Sequence, residues 1–385
     1  MKVPSSRWLV IAQVVFVTGF LAVCSSYYRP GAGLTQLIGF SAAWHDRELP
    51  AVRDVPHYDE PGAGYDGRFY AQLAADPLVA HPAIDNALDV PVLRARRILL
   101  SWTAWILAAG HPGMALHVYS VLNIASWLAL AWMLRRWIPP TGGRSLALWA
   151  GCLAGYGALA SVRFSLTDLP CALLLALAVG AAGQSRHMST GASIGLASLA
   201  RETGLIAVVL PLHSWARRFP GWPTAFVVAS LAVGPLALWH LYLAGTHPWR
   251  IIEGAGNVGL PLVGVWWKVA DVAATVGRDG LTLPVLATLA GLTGFVTQGG
   301  VALRAMMRPD TRTAWAVLAA TSFVFTLCTQ EAPWSETPGA YLRLALPLAV
   351  GANVILATNR SGWLVVTAAN LGVVPGLLLF VCRWI

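Results

Sequence analysis

The chain has 385 residues, 57% of them hydrophobic and only 11% charged, with a formal net charge of +9. A soluble domain carries about 25% charged residues, so this composition, with a mean hydropathy of +0.62, excludes an ordinary soluble protein and predicts an all-α polytopic membrane protein. Arg-rich cytoplasmic loops account for the positive charge, and the absence of a basic patch with interleaved aromatic residues argues against a nucleic-acid partner.

In chain order, Lys2 and Arg7 precede the first apolar run, residues 8–27. This places the N-terminus in the cytoplasm and makes 1–27 an uncleaved first transmembrane helix. Residues 28–113 are the long polar stretch of the chain. They hold nine of its seventeen acids: Asp46, Glu48, Asp54, Asp59, Glu60, Asp66, Asp76, Asp85 and Asp89. This stretch reads as a large first extracytoplasmic loop. Near its end, Arg94-Ala95-Arg96-Arg97 precedes an apolar run over 98–109. About a dozen residues cannot cross about 30 Å of hydrocarbon. A crossing would also leave Arg135 and Arg136 outside, against the positive-inside rule. An interfacial or re-entrant helix is therefore expected there.

Residues 114–385 are expected to form the remaining transmembrane bundle of a single domain. Runs at 114–134, 145–162 and 169–183 are followed by two short apolar halves, 191–200 and 204–212, hinged on Arg201-Glu202-Thr203. Such halves suit broken helices that meet at a polar point. A run over 222–244 leads to a second polar loop, 245–280, which carries Trp249, Arg250, Glu253, Trp266, Trp267 and Lys268. Runs at 281–303, 313–330, 343–358 and 363–382 complete about eleven spans, with Arg144, Arg217, Arg218, Arg304, Arg308 and Arg360 on the cytoplasmic side. Cys24, Cys152, Cys171, Cys328 and Cys382 show no CxxC or metal spacing and read as small core residues.

The acidic loop contains Gly64-Tyr65-Asp66-Gly67-Arg68-Phe69-Tyr70. Gly64 and Gly67 allow a tight turn that presents Asp66. Phe69, Tyr70, Leu73 and Ala74 then fall near helical spacing, as in a short amphipathic helix lying on the membrane. Asp66 would begin that helix, and on the residues alone it serves equally as an N-cap or as a general base. Asp59 and Glu60 add a second acidic point, suited to a base or a metal-binding partner. Acidic loops are also commonly just solvated.

Arg201-Glu202 lies in apolar sequence, where charges are costly. The two either neutralise each other or present Arg201 to a lipid phosphate with Glu202 orienting it. Arg343 follows Glu336 at another outer helix start. It either snorkels to the interface or adds a second cation for an anionic headgroup. Asp168, two residues before Pro170, reads as a helix start. Asp66, Arg201, Glu336 and Arg343 all fall on the expected outer side, as a cavity for a lipid-phosphate-linked substrate requires.

The long acidic outer loop, the short interfacial helices and the many following spans resemble the GT-C class of membrane glycosyltransferases. The Gly64–Tyr70 string, followed by Asp76-Pro77-Leu78 and Arg96-Arg97-Ile98-Leu99, resembles a group of bacterial GT-C-like cell-surface glycopolymer proteins. Those carry Tyr-Asp-Gly-Gln-Phe-Tyr, Asp-Pro-Leu and Arg-Ile-Leu-Tyr-Pro. Arg201-Glu202-Thr203-Gly204 resembles their basic-Glu-Thr-Gly step. The likeness covers residues 58–110 and 198–206 and is topological elsewhere. Arg68 stands where the group has Gln, and Leu100-Ser101 where it has Tyr-Pro, departures that bear on substrate contacts.

The resemblance implies an inverting transfer of a sugar from a polyprenyl-phosphate donor. The acceptor would be a cell-envelope glycan, lipid or protein on the extracytoplasmic face of a bacterial inner membrane. It implies Asp66 as the base, with Asp59 and Glu60 as supporting acids. It puts Arg201 and Arg343 at the donor phosphate, and Tyr65, Arg68, Tyr70, Glu202 and Glu336 as orienting or substrate contacts. No cofactor or metal is expected for a monosaccharide-phosphate donor, whereas pyrophosphate-linked donors often use a divalent metal. The alternative is a non-enzymatic transporter or scaffold for lipid-linked sugars. A transporter would more often show inverted repeats and mid-membrane binding groups, and the sequence shows neither.

Overall fold

A computed structural model describes residues 7–216, 219–247, 257–359 and 361–383. Lys2, Arg217, Arg218, Trp249, Arg250, Glu253 and Arg360, which entered the topology above, lie outside the described residues. Within them the chain is helical apart from one two-stranded parallel ladder, in which Phe40 pairs with Asp59 and Ser41 with Glu60.

Among the described residues four helices are long and apolar enough to cross a membrane: Arg7–Ser25, Pro112–Leu134, Trp222–Thr246 and Leu283–Met307. Two bent pairs raise the number to six if each pair is one span. Gly143–Ala154 meets Tyr156–Arg163 at 43°, and Trp363–Ala369 meets Val373–Phe380 at 45°. Asp168–Ala182, Ala314–Leu327 and Leu346–Thr358 are apolar but have only 15, 14 and 13 residues. Helices of that length do not cross about 30 Å unaided. By length and composition the described residues thus give four to six candidate crossings, and the eleven expected are not confirmed. The two bends have a common origin. Tyr156 N donates to Gly372 O at 3.0 Å, and Gly376 packs so closely that a Cβ there would lie 2.9 Å from Tyr156 N. Each helix is interrupted where it meets the other's interruption.

The first helix joins the bundle through aromatic packing. Phe20 stacks on Trp127 at a centroid distance of 3.7 Å, and Phe16 lies edge-on to Trp149. Large apolar side chains face outward on the long helices, among them Ile11, Val14, Val15, Phe226, Leu238 and Leu241. An apolar exterior of this kind suits a lipid environment and would be a liability in water.

The acidic loop expected on the outer side folds into short helices packed on the bundle. Gly67–Ala75 is buried from Gly67 to Ala74, so it is not a helix lying on the membrane surface. It packs on Leu99–Leu107 and Pro112–Leu134, and Ser101 Oγ donates to Tyr70 O at 2.8 Å. Leu99–Leu107, the expected interfacial segment, has nine residues and leaves Ile106 and Leu107 exposed. The second polar loop is described only in part, over 245–247 and 257–280. It contains the helix Val263–Asp279, which buries Gly264 and Lys268 and leaves Trp266 outside.

Candidate functional site

The backbone around Asp66 is held from both sides. Gly64 has φ +68°, in the left-handed region that glycine tolerates best. Tyr65 N donates to Gly39 O at 2.8 Å, and the Tyr65 ring stacks on Phe164 at 4.0 Å. At Gly67 a Cβ would overlap the carbonyl oxygens of Phe164 and Ile38. The two glycines therefore let the chain enter a slot that no side chain fits.

Asp66 has helical angles, φ −54° and ψ −28°, and its side chain makes no capping hydrogen bond. The N-cap role is not taken up. Its Oδ1 instead accepts from Arg94 Nη2 at 2.8 Å, and its Oδ2 lies 3.6 Å from Arg343 Nη1. Arg94 is fixed by Asp89, with Nε to Oδ1 at 2.8 Å and Nη2 to Oδ2 at 2.7 Å. Trp239, on the Trp222–Thr246 helix, donates to Ala95 O at 2.8 Å and so anchors the Pro91–Ala95 turn that carries Arg94. Burial alone would raise the Asp66 carboxyl, but the Arg94 and Arg343 guanidinium groups outweigh it and hold the group well below the usual carboxylate range. The Asp66 side chain is 29% exposed, enough for a small acceptor to reach it.

Tyr70 and Glu202 join the cluster through Arg97. The Tyr70 hydroxyl accepts from Arg97 Nη1 at 2.8 Å. The other side of that guanidinium grips Glu202 in a two-pronged pair, at 2.8 and 2.6 Å. Arg201 and Glu202 thus do not neutralise each other. Arg201 has an extended backbone, φ −158° and ψ 131°, between the His187–Ala200 helix and the 3-10 turn Glu202–Val208. The two side chains diverge, and Arg201 pairs with buried Asp168. Asp168 does open a helix, as its Pro170 spacing suggested, but its carboxylate is engaged by Arg201.

Arg343 points inward and is 6% exposed, so it does not snorkel. Its guanidinium lies over the Tyr65 ring at 5.1 Å, and Nη2 sits 3.6 Å from Glu336 Oε1. Tyr65 donates its hydroxyl to Glu336 Oε2 at 2.7 Å. Burial pushes the Tyr65 phenol well above its usual range, which keeps it a donor. Asp66, Tyr65, Glu336 and Arg343 therefore meet directly, and Tyr70 and Glu202 connect to them through Arg94 and Arg97.

Three expected contributors are placed differently. Arg68 donates to Ala63 O and stacks over Trp44 at 4.5 Å. Glu60 accepts from Arg163 Nη2 at 2.6 Å. Asp59 faces His45 at 3.7 Å and His57 at 3.5 Å. Among the described residues no hydrogen bond or ion pair joins Asp59 or Glu60 to Asp66. Sequence reasoning missed Arg94, Arg97 and Asp89 as members of the site. The Arg94-Ala95-Arg96-Arg97 run was visible, but it read as a topological flank of the apolar segment after it.

A cleft of about 260 Å³ borders the motif and is lined by Gly62, Gly64, Tyr65, Arg163, Phe164 and Leu379. A larger cavity of about 450 Å³ lies between Val301, Arg304, Arg308 and Ser361. It touches none of the clustered acids, so size alone does not mark the chemistry. The chain matches no family model, no curated protein and no solved structure.

Proposed function

We propose that this protein is an inverting membrane glycosyltransferase that uses a polyprenyl-phosphate-linked sugar as donor. The acceptor is a cell-envelope glycan, lipid or protein on the extracytoplasmic face of a bacterial inner membrane. The observation that carries the reading is the pairing of Asp66 with Arg343. Inverting transfer needs an ionised carboxylate to take the acceptor proton and a cation to receive the departing phosphate. Here the two sit side by side in a partly open, desolvated site.

The cations differ in availability. Arg94, Arg97 and Arg201 are each held in close pairs with Asp89, Glu202 and Asp168. Both ion contacts of Arg343 are 3.6 Å long, beyond hydrogen-bond range. Arg343 is thus the group whose N–H donors can turn to a phosphate oxygen, and the phosphate contact passes to it in preference to Arg201. In the reaction, the acceptor hydroxyl gives its proton to Asp66 while its oxygen bonds to the anomeric carbon. The bond from that carbon to the phosphate oxygen breaks with its electrons, and Arg343 offsets the charge left on the lipid phosphate. When Arg343 swings to the phosphate, Asp66 loses one counter-charge and becomes a better base.

The test is sugar transfer by purified protein from a panel of radiolabelled polyprenyl-phosphate sugars, wild type against Asp66→Asn. Transfer that disappears in the variant supports the reading. Donor lipid bound without transfer to any envelope acceptor would favour a transporter or scaffold.

A further inference from the structure

A second polar cluster stands apart from Asp66. The 3-10 helix Ala42–Arg47 carries His45, and Glu48 follows it as the C-cap, with extended backbone angles of φ −66° and ψ 149°. His57 and Asp59 lie two residues apart on the segment entering the short strand Asp59–Glu60, so their side chains share one face. The parallel pairing of Phe40 with Asp59 brings the two segments together. The ligand-type atoms of His45, Glu48 and His57 all fall within 4.8 Å of one another.

We propose that His45, Glu48 and His57, with Asp59 beside them, bind one divalent transition-metal ion, Zn²⁺ by preference, which fastens the first outer loop.

Three observations carry this. The first is spacing. His57 Nε2 lies 3.4 Å from Glu48 Oε2 and 3.5 Å from Asp59 Oδ1, and His45 Nδ1 lies 4.0 and 3.7 Å from the same two carboxylates. Four ligands at about 2.0–2.1 Å from a tetrahedral Zn²⁺ stand about 3.4 Å from each other. The two contacts of His57 already stand near that spacing, the ligand atoms of His45, Glu48 and His57 lie within 4.8 Å of one another, and Asp59 meets the two histidines through different oxygens.

The second is unmet bonding in a dry place. The Glu48 and His57 side chains are each 3% exposed. Both Glu48 oxygens, His57 Nε2, His45 Nδ1 and Asp59 Oδ1 are buried with no hydrogen-bond partner. Native interiors do not leave five converging polar atoms unsatisfied. A proton could bridge one pair, but a cation at the centre satisfies His45, Glu48 and His57 together.

The third is orientation. His57 Nδ1 lies 2.8 Å from Val55 O, so the ring proton sits on Nδ1. The Nε2 lone pair then points at the carboxylates. A backbone carbonyl that fixes the tautomer in this way is the usual outer support of a metal-bound imidazole. The His57 ring is further held against Phe40 at 4.3 Å.

Two imidazoles with two carboxylates suit Zn²⁺ over Mg²⁺ or Ca²⁺, which prefer all-oxygen shells. Three converging protein ligands, with the Asp59 carboxylate next to both imidazoles, suit a tetrahedral zinc ion. The half-exposed His45 and Asp59 side chains provide the entry path. The ion would tie residues 45–48 to the strand whose next residues run through Gly62 and Gly64 to Asp66. Its role is to position that loop, and it takes no part in the transfer step.

The test uses the full chain, free of any polyhistidine tag, purified in detergent, stripped with EDTA and reloaded with ZnCl₂ or CoCl₂. About one Zn²⁺ per chain should survive desalting, and Co²⁺ should give the intense visible bands of a tetrahedral site. Glu48→Gln and His57→Ala should each weaken Zn²⁺ binding about tenfold or more. Glu48→Gln keeps the side-chain shape, so it decides if His57→Ala does not fold, and the wild-type Co²⁺ spectrum needs no variant. Failure of the reloaded wild type to retain Zn²⁺, or unchanged binding in Glu48→Gln, overturns the proposal. Metal content is read without any transfer assay, so it stands or falls separately from the glycosyltransferase reading.

Discussion

Asp66 and Arg343 come from opposite ends of the chain, yet Asp66 Oδ2 and Arg343 Nη1 lie 3.6 Å apart, while Asp66 Oδ1 is tied to Arg94 at 2.8 Å. The two carboxylate oxygens thus have different jobs. Oδ1 is fixed and sets the plane of the group. Oδ2 faces a cation that is near but not bonded, and under the proposed function it is the oxygen that would take the acceptor proton.

Asp66→Asn keeps the shape and removes the charge. The amide can still offer its oxygen to Arg94, so the fold should survive. Loss of a positioned general base costs about 10²- to 10⁴-fold in rate. Donor binding should change little, because Arg343 remains. Wild-type transfer rates in this variant would move the base to another acid of the cluster, with Glu336 next to Arg343 the first to test.

Arg343 and Arg201 should separate in experiment. Arg343→Gln is expected to weaken donor-lipid binding with a modest effect on thermal stability, since its ion contacts are long. Arg201→Ala strands the Asp168 carboxylate, which is 4% exposed. Removing one partner of a buried pair costs about 3–5 kcal/mol, so this variant should unfold early in detergent. Arg201→Ala joined to Asp168→Ala should recover part of that loss. The opposite pattern, stable Arg201→Ala with lost donor binding, would return the phosphate to Arg201.

Much of the site was legible because its signals are local. Glycines at 64 and 67 marked the turn that presents Asp66, and charges inside apolar sequence marked Arg201, Glu202 and Arg343 as costly to bury. Their partners were not legible. Arg97–Glu202, Arg201–Asp168 and Arg343–Asp66 depend on how distant helices pack, and pairing within Arg201-Glu202 was the nearest choice available to a linear reading. The residues at 145–162 and 363–382 read as single spans because each is continuously apolar. The bends exist because Tyr156 and Gly372 meet, a contact between segments that no window of sequence contains. His45, Glu48 and His57 follow no metal spacing in sequence and converge only through the short parallel ladder.

Gly67→Ala tests whether the slot around the motif is as tight as its geometry implies. The added methyl would press on two carbonyl oxygens, those of Phe164 and Ile38. Both are backbone atoms of packed segments and cannot rotate away as a flexible side chain would. The helix start must shift, and Asp66 with it. Overpacking of this kind costs about 1–3 kcal/mol, so the thermal midpoint should fall and transfer should fall further than stability alone explains. An Ala variant with wild-type stability and transfer would show that the Gly64–Gly67 turn does not set the position of Asp66.

The pH dependence follows from the depressed carboxyl of Asp66. A group whose folded value lies below its unfolded value of about 3.9 stabilises the fold above that pH. The contribution is lost as pH falls through the folded value. The stability difference between wild type and Asp66→Asn should therefore be flat from neutral pH down to about pH 4 and shrink below it. The rate should behave differently. In the free enzyme Arg343 helps hold Asp66 ionised, so kcat/KM should show no acid limb from Asp66 until strongly acidic pH. In the proposed donor complex Arg343 would serve the phosphate, whose own negative charge would also lie close, and both changes would raise the carboxyl. The acid limb of kcat should then lie at higher pH than that of kcat/KM. Arg343→Gln should narrow the gap between the two limbs, because the counter-charge is then absent in both states and only the phosphate charge still separates them. Coincident limbs in the wild-type enzyme would mean that Arg343 does not move from the base to the donor, and would remove the coupling between phosphate binding and base strength.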